Sequence, residues 1–400
     1  MHRPRGMGQG PVTVMVDAPV RPARLISDRK TIRILIVFGT RPEAIKLAPV
    51  IRELHRRPRI TSKVCVTAQH RDMLDQVLEP FGIVPDHDLD LMKRDQALPD
   101  LAASVLLKLA PILESENPDW VIVQGDTTTA AIAALAAFYH GAKVAHVEAG
   151  LRSHDKWQPF PEEINRRIAG IVADMHFAPT EQSKQNLLRE GVPEAAVRVT
   201  GNTIIDALQR IRCLPWDPET LGKCAGVLKS QDTKLILVTA HRRENFGQPI
   251  LRICEALRTL AETYTDVRIV YPVHKNPNIW EPVHRLLGQV SNIFLLPPVD
   301  YLSLVQLMKR SYVVLTDSGG VQEEAPALGI PALVLREVTE RPEGVASGNV
   351  KLVGSNTQRI ISETSRLLDD PAEHLRMACA ANPYGDGHAA ERIASILECL

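Results

Sequence analysis

Paired cysteines, long apolar runs and an excess of either charge are all missing from this chain. Its six cysteines (Cys65, Cys213, Cys224, Cys254, Cys379 and Cys399) are scattered, with no Cys-x-x-Cys pair. That spacing argues against zinc and against a disulfide framework, and fits ordinary thiols in a reducing cytoplasm. No apolar stretch approaches the ~18 residues of a membrane helix, so no membrane partner is expected. Lysine plus arginine and aspartate plus glutamate both number 47, so no net charge draws the chain toward nucleic acid. Walker-type and Gly-x-Gly-x-x-Gly turns are absent, which counts against an ATPase and against a nicotinamide site. Residues 1–30 lack the sustained apolar core of a secretory signal. They are rich in Arg, Pro and Gly, and residues 1–31 read as a flexible tail, with a transit peptide as the alternative.

What is present is an alternation of strand and helix. With 400 residues, 44% of them hydrophobic and 24% charged, the content is that of an ordinary globular chain of two or three domains. Arg33–Phe38 is a continuous apolar run, the pattern of a parallel strand covered on both faces. Gly39-Thr40-Arg41-Pro42-Glu43 then opens a helix, with Thr40 as its cap and Pro42 in its first turn. That helix N-terminus, with Arg41 and Lys46, makes an anion site; two solvated cations on a surface loop are the other reading. Ser62–Thr67 reads as a second strand, ending at Gln69-His70-Arg71. A helix follows from Asp72 to Phe81. Trp120–Gln124 is a third strand, ending Gly125-Asp126-Thr127-Thr128. There Asp126 is either a site acid or, like Thr127, a cap for the helix over 129–140.

The densest chemistry lies between Lys143 and Arg167. Lys143–Val147 reads as a buried strand that delivers the Glu148 carboxylate at its C-terminal end, where ligands bind in open α/β sheets. Pro161, Glu162 and Glu163 start a helix. Glu162 and Arg166, four apart, share one helix face. Singly, these residues are also explained as a capping acid, a helical ion pair and a surface Glu. Three acids and two arginines beside one loop favour a site.

The pattern restarts after Gly201–Asn202 and Cys213–Asp217. Strands at Leu235–Thr239, Val267–Tyr271, Ile293–Leu296, Tyr312–Leu315, Ala332–Leu335 and Val350–Val353 alternate with helices. The first ends in Ala240-His241-Arg242, the second leads to His274-Lys275, and the fourth ends in Thr316-Asp317-Ser318-Gly319-Gly320. The last of these precedes a helix beginning near Val321, carrying Glu323 and Glu324, and is a phosphate-cradle candidate. Glycine lets backbone N–H groups approach the anion, and the helix dipole favours it. A glycine turn without a ligand is the alternative. The fold class is α/β, two Rossmann-like domains in tandem with a cleft between facing sheet edges. A diphosphate held by Arg41, Ser318–Gly320 and Arg242 is consistent with that layout, within reach of the first unit's carboxylates.

Six stretches, in order, resemble the non-hydrolysing UDP-N-acetylglucosamine 2-epimerases: FGTRPEAIK at 38–46, GDTTT at 125–129, HVEAGLRS at 146–153, PEEINRR at 161–167, HRREN at 241–245 and TDSGGVQEEAPALG at 316–329. The resemblance implies a glycosyltransferase-B-type fold, with domains at 32–202 and 203–384 and a final helix, 385–400, returning to the first. It implies reversible epimerisation of UDP-N-acetylglucosamine to UDP-N-acetylmannosamine without NAD or metal, as a precursor for cell-surface polysaccharide. The route implied is elimination of UDP to 2-acetamidoglucal, then re-addition with protonation from the other face. By the same resemblance Asp126, Glu148 and Glu162 are the catalytic carboxylates and His241 the essential histidine. Arg41, Lys46 and Arg166 bind substrate; Ser318, Gly319, Gly320 and Glu324 form the nucleotide site, with Glu324 on the ribose hydroxyls. Gln69, His70, Arg71, Arg242 and His274 resemble the site of a second, activating UDP-N-acetylglucosamine, although Asp72 stands where some members have Gln or Glu. A cytoplasmic homodimer is also implied. The competing readings are an epimerase of a 2,3-diacetamido sugar or its uronic acid, a hydrolysing epimerase, a glycosyltransferase of the same fold, and a nucleotide-sugar-binding regulator.

Overall fold

The computed structural model describes residues 31–68, 71–91, 96–229 and 233–400. The tail expected over 1–31 lies almost wholly outside the described residues, as do Gln69 and His70. Two parallel sheets organise the chain. The first holds β1 (Ile32–Phe38), β2 (Ile60–Val66), β3 (His87–Asp88), β4 (Trp120–Gln124), β5 (Lys143–Val147), β6 (Met175–Ala178) and β7 (Val197–Val199). They lie in the order β3-β2-β1-β4-β5-β6-β7, every pair parallel. The second holds β8 (Lys234–Thr239), β9 (Val267–Pro272), β10 (Ile293–Leu296), β11 (Val313–Thr316), β12 (Ala332–Val334) and β13 (Val350–Leu352). Its order is β10-β9-β8-β11-β12-β13, again parallel throughout.

These strands form where the apolar runs demand it. Ile36 pairs with Val64 on one side and Ile122 on the other, and Ile34 to Phe38 are all essentially inaccessible. A strand flanked by neighbours and covered by helices has no polar face to spend on water.

The helices of the first unit are α1 (Arg41–His55), α2 (Arg71–Phe81), α3 (Leu98–Glu116), α4 (Thr128–His140), α5 (Glu162–Val172) and α6 (Glu181–Arg189). Then come α7 (Thr203–Ile211), α8 (Ala225–Lys229), α9 (Gln248–Thr263), α10 (Pro277–Leu287), α11 (Tyr301–Arg310), α12 (Gly319–Ala327) and α13 (Pro342–Ser347). The last three are α14 (Thr357–Asp369), α15 (Pro371–Ala378) and α16 (Ala389–Glu398). No helix among the described residues is long and apolar enough to cross a membrane.

Caps follow local chemistry. Thr127 accepts from the Ala130 N–H to start α4, and Gly141 closes it in the left-handed conformation. Pro161 is the cap of α5, one residue before its first helical position. The helix after the second-unit glycines begins at Gly319, not near Val321, because those glycines supply its first-turn N–H groups. The second strand begins at Ile60 and ends at Val66, two residues earlier at its start than its apolar content suggested.

α7 joins the units. It packs on α1, on α12 and on α16, and its buried Ile204, Ile205, Leu208 and Ile211 belong to an apolar cluster that also contains Ile36 of the first sheet and Val314 of the second. α16 returns to pack on α1. Asp206 holds it there, accepting from the Ala390 N–H at 2.8 Å and the Ala389 N–H at 3.3 Å.

Gly150, which follows the Glu148 loop, has φ +91° and sits against α6; a Cβ there would lie 2.2 Å from the Ser183 carbonyl oxygen. Both the backbone conformation and the clash oppose any side chain. Gly150→Ala is expected to destabilise the fold by at least ~1–3 kcal/mol, read as a lower midpoint in urea denaturation.

Candidate active site

In each sheet the winding reverses between two adjacent strands, β1 and β4 in the first and β8 and β11 in the second. A doubly wound sheet leaves its ligand crevice at that point, outside the carboxyl ends of the strands. The residues singled out from sequence follow those ends: Arg41 after β1, Asp126 after β4, His241 after β8, Ser318 to Gly320 after β11. Glu148 follows β5 and Glu162 opens α5.

Around the first sheet the acids have different partners. Asp126 forms an ion pair with Arg166, whose other edge meets Glu163 at 3.1 Å. The shared helix face of Glu162 and Arg166 therefore does not produce an ion pair between them. The buried Glu163 takes that place, also accepting from the Ser153 N–H at 3.0 Å and from Arg167 at 3.3 Å. Burial raises the Glu162 carboxyl, Asp126 adds to this, and Arg242 and Arg166 oppose it. Its Oε2 is buried without a hydrogen-bond partner. Glu162 of the first unit and Arg242 of the second thus act on each other across the cleft.

Glu148 has a left-handed backbone, φ +64°. Lys46 Nζ donates to both carboxylate oxygens, at 2.5 and 2.6 Å. Gln124 donates to Oε2 and Asn202 Nδ2 to Oε1 at 3.2 Å. The same Asn202 nitrogen donates to Glu323 at 2.7 Å. Glu323 in turn receives Arg341 Nε at 2.5 Å, and Arg341 reaches Glu340 at 2.8 Å and stands 4.0 Å from Glu148. Lys46, Glu148, Asn202, Glu323 and Arg341 are all buried, so a continuous charged chain passes from α1 to α12. Burial alone would lower Lys46, but Glu148 and Glu323 raise it above the ordinary ammonium value. Burial also opposes the charge of Glu340, yet Arg341, Arg336 and Arg242 hold its carboxyl well below the usual range.

On the second unit, Ser318 caps α12 and Gly319 and Gly320 form its first turn, an N-terminus suited to an anion. Gly319 has a second reason to be glycine. A Cβ there would stand 2.6 Å from Arg341 Nη1 and 2.8 Å from its Cζ, so the guanidinium occupies the space a side chain would need. Glu324 accepts from the Tyr301 hydroxyl at 3.3 Å. Burial, with Glu323 beside it, pushes the Glu324 carboxyl up to about 7, against the Tyr301 hydrogen bond and the cations Lys46 and Arg41. Arg41 belongs to the first unit but faces this group: burial lowers it, while Glu324, Asp300 and Tyr301 act in the opposite sense.

His241 lies beside His274, with ring centroids 5.8 Å apart. Burial lowers it; Asp317 opposes that, and Arg242, His274 and Arg41 reinforce it. Arg242 Nη2 stands 4.0 Å from Glu340. Arg71 is the first residue of α2, and Gln69 and His70, outside the described residues, precede it.

Sequence reasoning passed over Gln124, Asn202, Tyr301, Asp317, Glu323 and Arg341 as site residues, and counted Glu163 among the acids of its loop without giving it a role. One signal was available for Arg341: the triplet Arg-Pro-Glu of 41–43 recurs at 341–343.

A sequence profile of the UDP-N-acetylglucosamine 2-epimerase family matches residues 52–398. The chain is 52% identical over 369 residues to the UDP-N-acetylglucosamine 2-epimerase of Escherichia coli strain K12, covering 92% of this chain and 98% of that one. It is 50% identical over 371 residues to that of Campylobacter jejuni, covering 91% and 97%. Among solved structures, the UDP-GlcNAc 2-epimerase of Neisseria meningitidis bound to UDP-GlcNAc superposes with a TM-score of 0.86 at 48% identity, covering 92% of this chain and 100% of that one. The Methanocaldococcus jannaschii enzyme in complex with UDP-GlcNAc and UDP gives 0.78 at 35% identity, with the same coverage.

Removing Arg341 leaves Glu323 and Glu340 buried without their shared cation. Arg341→Ala is expected to cost about 3–5 kcal/mol of stability, measured by urea denaturation. Arg341→Lys should recover only part of it, because one ammonium cannot span both carboxylates as the two guanidinium edges do.

Proposed function

Because the chain belongs to the UDP-N-acetylglucosamine 2-epimerase family, we propose that it interconverts UDP-N-acetylglucosamine and UDP-N-acetylmannosamine by eliminating and re-adding UDP. The observation that supports this reading is that Asp126 and Glu148 follow the carboxyl ends of β4 and β5, with Asp126 acting on Glu162 and Arg242 of the second unit acting on Glu162 in turn. A glycosyltransferase needs the nucleotide half of that arrangement; the three carboxylates suit a reaction in which a proton leaves and returns at the sugar.

Carbon 2 of the sugar has no neighbouring carbonyl to acidify its hydrogen. Breaking the C1–O bond first builds positive charge on the ring and makes that hydrogen removable. Its loss gives 2-acetamidoglucal, and UDP adds back as the other face is protonated. Glu148, both oxygens held by Lys46, Gln124 and Asn202, is suited to stabilising the positive ring by its field. Glu162, raised by burial and with one oxygen unpartnered, is suited to carrying the proton. Asp126, paired with Arg166, supplies the carboxylate for the opposite face. Ser318 to Gly320, Arg41 and His241 hold the departing diphosphate, and Glu324 accepts from the ribose hydroxyls.

Residues 32–202 with α16, and 203–384, act in this reading as the sugar and nucleotide domains. A second UDP-N-acetylglucosamine beside the first, bound by Gln69, His70, Arg71, Arg242 and His274, belongs to the same proposal. So does a homodimer in the cytoplasm. Leu107, Phe138, Tyr139 and Ile171 are all more than half exposed on α3, α4 and α5, which pack side by side. An apolar face of that kind suits a partner subunit.

Proton NMR of the protein with UDP-N-acetylglucosamine in deuterium oxide tests the reaction. UDP-N-acetylmannosamine with deuterium at C2 is the expected product; lasting free N-acetylmannosamine with UDP would replace this reading by a hydrolytic one, and an unchanged spectrum would overturn it. Asp126→Asn is expected to abolish turnover while UDP affinity stays within about 3-fold. The Glu324 carboxyl, at about 7 without ligand, must be charged to accept two hydroxyls. Binding of UDP-glucose, a diphosphate diester that does not itself titrate near neutrality, should therefore weaken as pH falls through about 7. Calorimetry in buffers of different ionisation enthalpy should show proton release on binding, and Glu324→Gln should remove both effects.

A further inference from the structure

The Asp317 carboxylate is fully buried and its two oxygens are used unequally. Oδ2 accepts from the His241 N–H at 2.8 Å, the Arg242 N–H at 2.8 Å and Asn245 Nδ2 at 2.9 Å. Oδ1 is equally buried and has no hydrogen-bond partner. It stands 3.5 Å from His241 Nδ1. A buried acceptor left without a donor costs on the order of 1–3 kcal/mol, so such atoms are rare and call for a reason. Here a donor-capable nitrogen stands 3.5 Å away, in the imidazole of the histidine already placed at the diphosphate.

We infer that Asp317 is the orienting carboxylate of His241, holding its Nδ1–H and leaving Nε2–H to donate to the diphosphate as it departs. This rests on the reading of His241 given under Proposed function and adds the group through which it acts. Asp317 is a positioning residue, since it meets the ligand only through His241. The three donors on Oδ2 fix the carboxylate plane, and they belong to the same short segment that carries the imidazole, so ring and carboxylate move together. When the C1–O bond breaks, its electron pair stays on the β-phosphate oxygen, and the His241 Nε2 proton is shared with that oxygen. Before that proton moves, the imidazolium charge faces Asp317; as it moves, the ring approaches neutrality and keeps Nδ1–H on the carboxylate. On re-addition the proton returns to Nε2 as the oxygen attacks C1. A carboxylate that orients the ring and balances the imidazolium is a known device for a histidine acting in both directions.

The surroundings require such a counter-ion. Of the groups facing His241, Arg242, His274 and Arg41 all disfavour a charged ring, as does burial. Asp317 alone among those groups favours it. Without Asp317 the ring would sit among cations with nothing to hold its second proton until the diphosphate arrived.

The test uses Asp317→Asn in the full chain. The amide oxygen can keep the three donors of Oδ2, while its NH2 group faces Nδ1, which must then be bare, so the ring stays neutral and the charged form that Asp317 supports is lost. The expected result is a fall in kcat of about 100-fold or more, with UDP affinity within about 3-fold and an unchanged melting temperature. Adding His241→Gln to Asp317→Asn should cost little more, because the two act as one unit. A kcat within about 3-fold of the parent, or a double variant that loses the product of the two single effects, would overturn the inference. If Asp317→Asn does not fold, the unsubstituted protein decides the matter: ring-15N histidine NMR with saturating UDP, assigned with His241→Gln. UDP should raise the His241 titration midpoint and produce a protected, downfield Nδ1 proton. A ring that stays neutral with bare Nδ1 would reject the dyad. That measurement needs no turnover, so a failure of the epimerase reading itself, seen as no reaction by the unsubstituted protein, is distinguishable from a failure of the dyad.

Discussion

Two buried carboxylates from different units share a single amide. Asn202 donates to Glu148 and to Glu323, and the cations that neutralise them, Lys46 and Arg341, also come from both sides. Charges this deep are tolerable only while their partners are in place. The second unit could not bury its member of the set as well alone: Glu323 takes one of its donors from Asn202 of the first, and a desolvated charge with fewer donors is costly. The chain of contacts therefore does more than bridge two domains. It fixes the distance between the α1 end of the first sheet and the α12 end of the second, and that distance is the width of the cleft.

With that distance set, the rest of the site follows from parallel topology. Every group proposed to act lies on or just past a carboxyl strand end, or in the first turns of the helix after it. Backbone N–H groups at those helix starts point into the crevice, and so does the positive end of each helix dipole. Arg41 adds its charge from the opposite wall, facing Glu324 and Tyr301. The apolar cluster running through both sheets by way of α7 gives this polar seam a rigid backing. A gap between two independently moving bodies could not hold a nitrogen 2.7 Å from one carboxylate and 3.2 Å from another.

Much of this was legible in the sequence, for a physical reason. A parallel strand covered on both faces must be apolar throughout, so its end is marked by the first polar residue; that is how Asp126, Glu148, His241 and Ser318 were located. The family resemblance added roles to those positions. Partner choice was not legible. Helical spacing puts Glu162 and Arg166 on one face but cannot say what stands opposite, and Arg166 takes Asp126 and Glu163 instead. Asn202 looked like part of a connection, because a single amide gives no sign that two carboxylates will converge on it. Gly319 was assigned to anion approach, when the Arg341 guanidinium also requires the space. α7 and α10 did carry a periodic mark that the reading passed over: Ile204, Ile205, Leu208 and Ile211 recur on one face of α7, and Ile279, Val283 and Leu287 on one face of α10. β3, at two residues, is too short for any pattern to register.

The position of α16 has a consequence for how the molecule comes into being. The helix that bears Arg41 and Lys46 is made early, yet part of its surface is covered by the last helix of the chain, anchored by Asp206 to the start of that helix. During synthesis the first sheet can assemble while this flank stays wet. Only after the second sheet has been made does the covering segment leave the ribosome and return across the molecule. Arg41 and Lys46 are thus translated early, while the flank of their helix is clad only once the end of the second unit has been made.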